Sequence, residues 1–154
     1  MISQPDTKQT IISKAQSYFD EGYACSQSVL LAYADRFDLD ERTAKLISSS
    51  FGGGMGRLRQ TCGAVTGGFM VLGLAYGNEL PNDMGTKLYA YQKVRELYHQ
   101  VEEIHGTVNC KELRYKHATQ AQVIERKHHK IICRRLVGEV AGMLHELLEQ
   151  NTQQ

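Results

Sequence analysis

The sequence predicts an all-α, single-domain helical bundle of about five to seven helices, with a glycine-rich loop before a central buried helix. Apolar residues recur at helical spacing in most segments. Two prolines and no tryptophan in 154 residues argue against a turn-rich sandwich or barrel. Apolar residues make up 42%, which supplies a core and excludes wholesale disorder. This length fits one compact domain over 1–154, with its core at about 6–149 and a polar tail at 151–154.

The first helix opens on Asp6-x-x-Gln9, which resembles a capping box. Ile11, Ile12, Ala15, Tyr18 and Phe19 then follow helical spacing up to Gly22. A second helix starts near Tyr23 and carries Val29, Leu30, Ala32 and Tyr33 towards Phe37. A third begins at Asp38 or Asp40, passes Ala44, Leu46 and Ile47, and ends in Gly52-Gly53-Gly54-Met55-Gly56. Several positions of that loop are expected to need φ > 0 or a close backbone approach.

The uncharged helix expected from Thr61 to Gly77 has Gly63 and Gly67, then Gly73 and Gly77, four residues apart. Such pairs let a neighbouring helix approach closely, against roughly 1 kcal/mol per glycine of lost helix propensity. After Pro81 a long helix carries Leu88, Tyr91, Val94, Tyr98 and Val101 as its expected apolar stripe and ends at Gly106. A short helix is expected from Cys110, then a polar stretch from His117 to Lys130. The last helix sets Ile132, Leu136, Val140, Leu144 and Leu147 on one face.

Charge narrows the function classes. Eighteen Lys and Arg against seventeen Asp and Glu leave a formal net charge of +1, which gives no nucleic-acid or membrane signature. The opening MISQPDTKQT lacks the basic and apolar regions of a secretory signal. The uncharged stretch Gln60–Asn78 is long enough to be a marginal membrane span, but its five glycines and two threonines mark a core helix instead. The expectation is a soluble, cytoplasmic protein with no membrane insertion.

In that compartment four cysteines are not expected to form disulfide staples. No two of Cys25, Cys62, Cys110 and Cys133 form CxxC, so a zinc ribbon or a thioredoxin-type dithiol is excluded. Any joint site must be assembled by the tertiary fold. Thr61 as N-cap would put Cys62 at the first helical position, and Asn109-x-x-Glu112 would do the same for Cys110. Cys25, three residues after Gly22, also falls in a first turn. Helix N-termini stabilise thiolates, the form that attacks disulfides and binds metals. Arg57, Arg59, Lys111, Arg134 and Arg135 lie near the cysteines in sequence and act in the same direction. From Lys111 to Arg135 eight basic residues face two acidic ones, a run that alone reads as an ordinary solvated face.

Other features carry less. His129 and Cys133 have i, i+4 spacing usable for a metal, but six histidines make such pairs common by chance. The Gly52–Gly56 loop lacks a Walker lysine and follows no expected strand, so a phosphate loop is not indicated, and a tight turn presenting Cys62 is the simpler reading. The methionines and Tyr89, Tyr91 and Tyr98 read as packing residues. Neither a hydrolase nor a transferase signature is present.

The order of Cys25, Cys62-Gly63-Ala64-Val65-Thr66-Gly67, Cys110 and Cys133 resembles the redox-active family labelled C_GCAxxG_C_C, named for four ordered cysteines. The flanks resemble it too: GYACSQSVL, FGGGMGR, GFMVLGLAYG, NCKEL and IICRRLV. The label writes GCAxxG where this chain reads CGAxxG. The likeness runs over roughly residues 15 to 145 and implies a helical bacterial or archaeal protein with a redox role. Related sequence joined to cytochrome modules that carry an iron–sulfur centre also makes a cluster an expectation here. The haem-attachment pattern CxxCH is absent from this chain.

Three functional readings follow. In the first, Cys25, Cys62, Cys110 and Cys133 converge on an iron–sulfur cluster for electron transfer or redox sensing, matching its usual count of thiolate ligands. In the second the protein is a cofactor-free thiol–disulfide protein with Cys62 as the attacking thiol. In the third the same cysteines hold a structural zinc. Four reduced cysteines filling core space are the bland alternative. The redox partner is open, and a monomer and a homodimer fit equally.

Overall fold

In the computed structural model of the chain, the structure describes residues 6–116 and 128–152. It is all-α, and among the described residues the only strand-like feature is an isolated antiparallel bridge between Thr61 and Asn109. The helices are α1 (Lys8–Asp20), α2 (Cys25–Ala34), α3 (Glu41–Ser49), a short turn α4 (Gly52–Met55), α5 (Gly63–Tyr76), α6 (Met84–His105), α7 (Cys110–Lys116) and α8 (His128–Thr152). A 3-10 turn, Asp35–Phe37, follows α2. Among the described residues no helix is long and apolar enough to cross a membrane.

Local chemistry sets the starts. Thr7, rather than Asp6, caps α1, its hydroxyl accepting the Thr10 N–H at 3.1 Å. Asp40 caps α3 by accepting the Thr43 N–H at 2.9 Å, and Asp83 caps α6 through the Thr86 N–H. At α2 the Gln27 side chain reaches back to accept the Ala24 N–H at 2.9 Å.

Helices α2 and α5 form the centre. From Ser28 to Ala34 every residue of α2 is buried, and α5 is buried from Gly63 to Gly68. A Cβ on Gly67 would lie 2.7 Å from the Ser26 carbonyl oxygen, so the two backbones are in direct contact there. A Cβ on Gly68 would lie 2.7 Å from Leu97 Cδ2 and 3.0 Å from Val140 Cγ1, where α5 meets α6 and α8. Glycine is thus needed at these positions in spite of its propensity cost. Gly73 differs: a Cβ there meets nothing within 4 Å, so it serves no helix contact, and the expected close approach stops at Gly68.

The stripe of α8 is as expected, with Ile132, Leu136, Val140, Leu144 and Leu147 all buried. On α6 Val101 is buried and Val94 and Tyr98 pack against the core as expected, but the start of the expected stripe is not buried. Leu88 and Tyr91 are 54% and 49% exposed, while Ala90, Lys93, Leu97, Val101 and His105 face inward. Counting only apolar residues missed part of this face, because two of its members are polar and paired. Lys93 lays its stem against the bundle and meets Glu96 at 3.2 Å, and His105 Nε2 lies 2.6 Å from Glu139.

Substitution at the two kinds of glycine in α5 has opposite expected effects. Gly67→Ala overpacks the α2 contact and lowers stability by about 1–3 kcal/mol. Gly73→Ala gains helix propensity in open space and raises it by about 0.5–1 kcal/mol. Urea titrations of the two variants check both signs.

Candidate functional site

Two backbone hydrogen bonds start the site. The Cys62 N–H donates to Val108 O at 2.8 Å, and the Cys110 N–H donates to Gln60 O at 2.6 Å. They flank the Thr61–Asn109 bridge and fix the starts of α5 and α7 side by side. Asn109 then caps α7, its side-chain oxygen accepting the Glu112 N–H at 3.1 Å, so Cys110 takes the first helical position as expected. Cys62 itself is the N-cap of α5, one position earlier than expected, because Thr61 is engaged in the bridge. Cys25 opens α2, and Cys133 lies in the second turn of α8.

These elements bring all four cysteines onto one cleft of about 840 Å³. Cys62 and Cys110 are buried, Cys25 and Cys133 are half-buried, and every thiol is free. Phe19 and Leu113 add apolar walls. Contact is tight: a Cβ on Gly63 would lie 2.5 Å from Cys25 Sγ, and one on Gly54 would lie 2.5 Å from Cys110 Cβ.

The glycine-rich segment forms the remaining wall. Gly53, Gly54, Met55, Gly56 and Arg57 all have φ between 57 and 71°, a left-handed run, and Arg59 has φ 61°. Non-glycine residues pay about 1 kcal/mol or more each for this conformation. Hydrogen bonds from Gln60 N–H to Gly54 O and from Leu58 N–H to Met55 O, each 3.0 Å, hold the turn. The turn points Arg57 and Arg59 along the cleft. Arg59 Nη1 lies 3.8 Å from Cys110 Sγ and 3.5 Å from Gly53 O.

Electrostatically the cleft is one-sided. Arg57, Arg59 and Arg114 line it, and among the described residues no Asp or Glu does. Even so, burial works against the thiolate form at Cys25, Cys62 and Cys133. Burial pushes Cys62 well above its ordinary value, with Cys25 adding to the effect and the backbone of Ala64 and Val65 opposing it. Burial likewise raises Cys25, and it pushes Cys133 up to about 12 although Arg114 and Arg59 pull the other way. Desolvation thus outweighs the opposing backbone N–H groups at Cys62 and Cys25, and the charges of Arg114 and Arg59 at Cys133.

Among the described residues no three His, Cys, Asp or Glu side chains are gathered as ligands of a single ion. The His129 side chain, and with it the spacing to Cys133, lies outside the described residues, as does 117–127 of the basic stretch. Sequence reasoning missed Arg114 and Leu113 as lining residues. Arg114 stands four residues after Cys110 on α7, a helical spacing that could have placed it on the cysteine face.

A family model described as "Putative redox-active protein (C_GCAxxG_C_C)" matches residues 23–147, and the chain belongs to that family. No curated protein and no solved structure matches the chain.

Two predictions test the geometry. Gly54→Ala places a Cβ against Cys110 in a left-handed position, and stability falls by about 2 kcal/mol or more in urea. For the reduced, metal-free chain, buried thiols with raised folded pKa contribute stability that is complete below the ordinary thiol value of 9.0. That contribution is lost as pH rises towards about 12, the folded value of Cys133. Denaturation between pH 7 and 11 shows the fall, and Cys133→Ala makes it shallower.

Proposed function

We propose that Cys25, Cys62, Cys110 and Cys133 together hold an iron–sulfur cluster, and that this family member transfers electrons or senses redox state through it. The observation that carries the reading is the carboxylate-free cleft in which four separate helices each present one cysteine beside three arginines. Soft thiolate donors in that number suit such a cluster. Gly53, Gly54 and Gly63 are positions where any side chain would intrude on the cysteines or on the turn beside them.

A bound cluster supplies one-electron chemistry at a potential set by net charge, hydrogen bonding and exposure. The chain's own residues prepare for it. Burial keeps Cys25, Cys62 and Cys133 protonated before loading, and ligation releases those protons, so loading is pH-dependent. Arg59 beside Cys110, with Arg57 and Arg114, offsets the charge of four thiolates. Phe19 and Leu113 limit water at the sulfurs.

The alternative reading, a cofactor-free dithiol, is favoured by one observation, the closeness of Cys25 Sγ to the Gly63 Cα next to Cys62. Against it, burial holds Cys62 in its unreactive protonated form.

Anaerobic purification, a visible spectrum, and iron, sulfide and zinc analysis on one sample test the proposal. Broad absorption at roughly 400–500 nm with matching iron and sulfide is expected, and Cys→Ser at any of the four positions weakens it. A colourless chain with a reversible Cys25–Cys62 disulfide would replace the cluster with the dithiol, and a colourless chain with one zinc would remove the redox role.

A further inference from the structure

We infer that Arg57 and Arg114, at the cysteine cleft, form a recognition site for a small anion, an oxyanion or a carboxylate, seated beside the sulfurs. The inference rests on the reading of this cleft as the reactive centre, and it does not depend on what the cysteines hold.

Three observations carry it. First, the cleft holds three guanidiniums and no carboxylate, and Arg57, Arg59 and Arg114 form no ion pair with any Asp or Glu among the described residues. Elsewhere on the surface Arg134 and Arg135 meet carboxylates at 2.9 and 2.8 Å. Second, the arginines have distinct contacts. Arg59 is already engaged with Gly53 O and Cys110 Sγ, whereas the planar forks of Arg57 and Arg114, both lining the cleft, have no hydrogen-bonded acceptor among the described residues, Arg114 meeting only the Tyr115 ring at 6.0 Å. Such forks bind carboxylates and oxyanions bidentately.

Third, Arg57 sits at φ 67°, a conformation that glycine adopts without cost and arginine does not. The turn around it contains glycines at four of its positions from 52 to 56, so the chain uses glycine freely here and yet keeps a strained arginine. Strain retained at the wall of a cavity points to a role for the side chain. At about 840 Å³ the cleft has room for a small anion.

The test uses the full chain as purified. Thermal unfolding is followed in inorganic phosphate and in chloride at matched ionic strength, for the wild type, R57Q/R114Q and R57G. Phosphate is expected to raise Tm above chloride in the wild type, by linkage to a site present only in the folded state. R57Q/R114Q is expected to lose that difference. R57G is expected to have a higher Tm in chloride, through relief of the left-handed strain, and a reduced response to phosphate. If R57Q/R114Q fails to fold, R57G carries the comparison.

A second readout places the anion in the cleft. In the reduced, metal-free chain, cysteine alkylation is timed with anionic iodoacetate and with neutral iodoacetamide. Their rate ratio cancels thiolate fraction and access. It is expected to exceed that of the urea-unfolded chain by about tenfold, the scale of focusing in a charged cleft, and to fall back in R57G. A wild-type Tm equal in phosphate and chloride, or a ratio equal to the unfolded one, overturns the site. These outcomes are separable from the cluster: a colourless chain that keeps both responses loses only the cluster, and a coloured chain with neither loses only the anion site.

Discussion

The pair of hydrogen bonds between Gln60–Cys62 and Val108–Cys110 is the constraint on which the site depends. It joins two segments far apart in sequence and fixes where α5 and α7 begin, so two cysteines become neighbours without sharing a helix. Because Gln60 and Cys62 are both held by this bridge, the segment from Gly52 must return over a short distance, and it does so by a left-handed turn. That turn in turn packs Gly54 against Cys110 and points Arg59 at the same sulfur. One local pairing therefore specifies the wall, the charge and two of the four thiols.

The second constraint is close packing of α2 on α5. Gly63 and Gly67 bring the α5 backbone against Cys25 and Ser26, so the first turn of α2 is seated directly on the start of α5. A further small-residue contact holds α8, which carries Cys133. Cβ atoms on Gly138 and Gly142 would meet Gln16 at 2.5 Å and Ile12 at 3.0 Å, where α1 lies across α8. Tyr33 adds a buried hydrogen bond from its hydroxyl to Ala141 O at 2.7 Å, tying α2 to α8. The positions of Cys25 and Cys133 are thus set by backbone approach in the core.

These particulars explain what was legible in the sequence. Helical periodicity marked the buried face of α8, where the expected stripe is apolar and buried, and Asn109 with Glu112 announced the start of α7 at Cys110. On α6 the same logic found Val94, Tyr98 and Val101 but not Lys93 and His105, inward residues whose polar heads are paired. It also passed over Gly138 and Gly142, although their spacing equals that of Gly63 and Gly67. The Cys62 cap was misplaced by one residue because its true determinant, the partner strand at Val108, is a tertiary contact that no local pattern encodes. Arg114 was legible in principle, four residues beyond Cys110, but only once the cysteine is known to face a cavity.

The protonation of the thiols follows from a competition whose outcome depends on depth. A helix terminus or a neighbouring cation acts over a few ångströms and favours the charged form, and burial opposes it with the full cost of removing that charge from water. At Cys62, buried and beside three other sulfurs, desolvation wins in spite of the α5 terminus. A site of this kind makes a poor free nucleophile and a good ligand set, because a ligated sulfur passes its charge to the bound centre and no longer stands alone in an apolar wall. Arg59 and Arg114, which do not overcome burial at Cys133, would gain effect if the four sulfurs were charged together, with Arg57 lining the same cleft. Burial and positive charge, which oppose each other at Cys133, would thus act together on four sulfurs ligated as one.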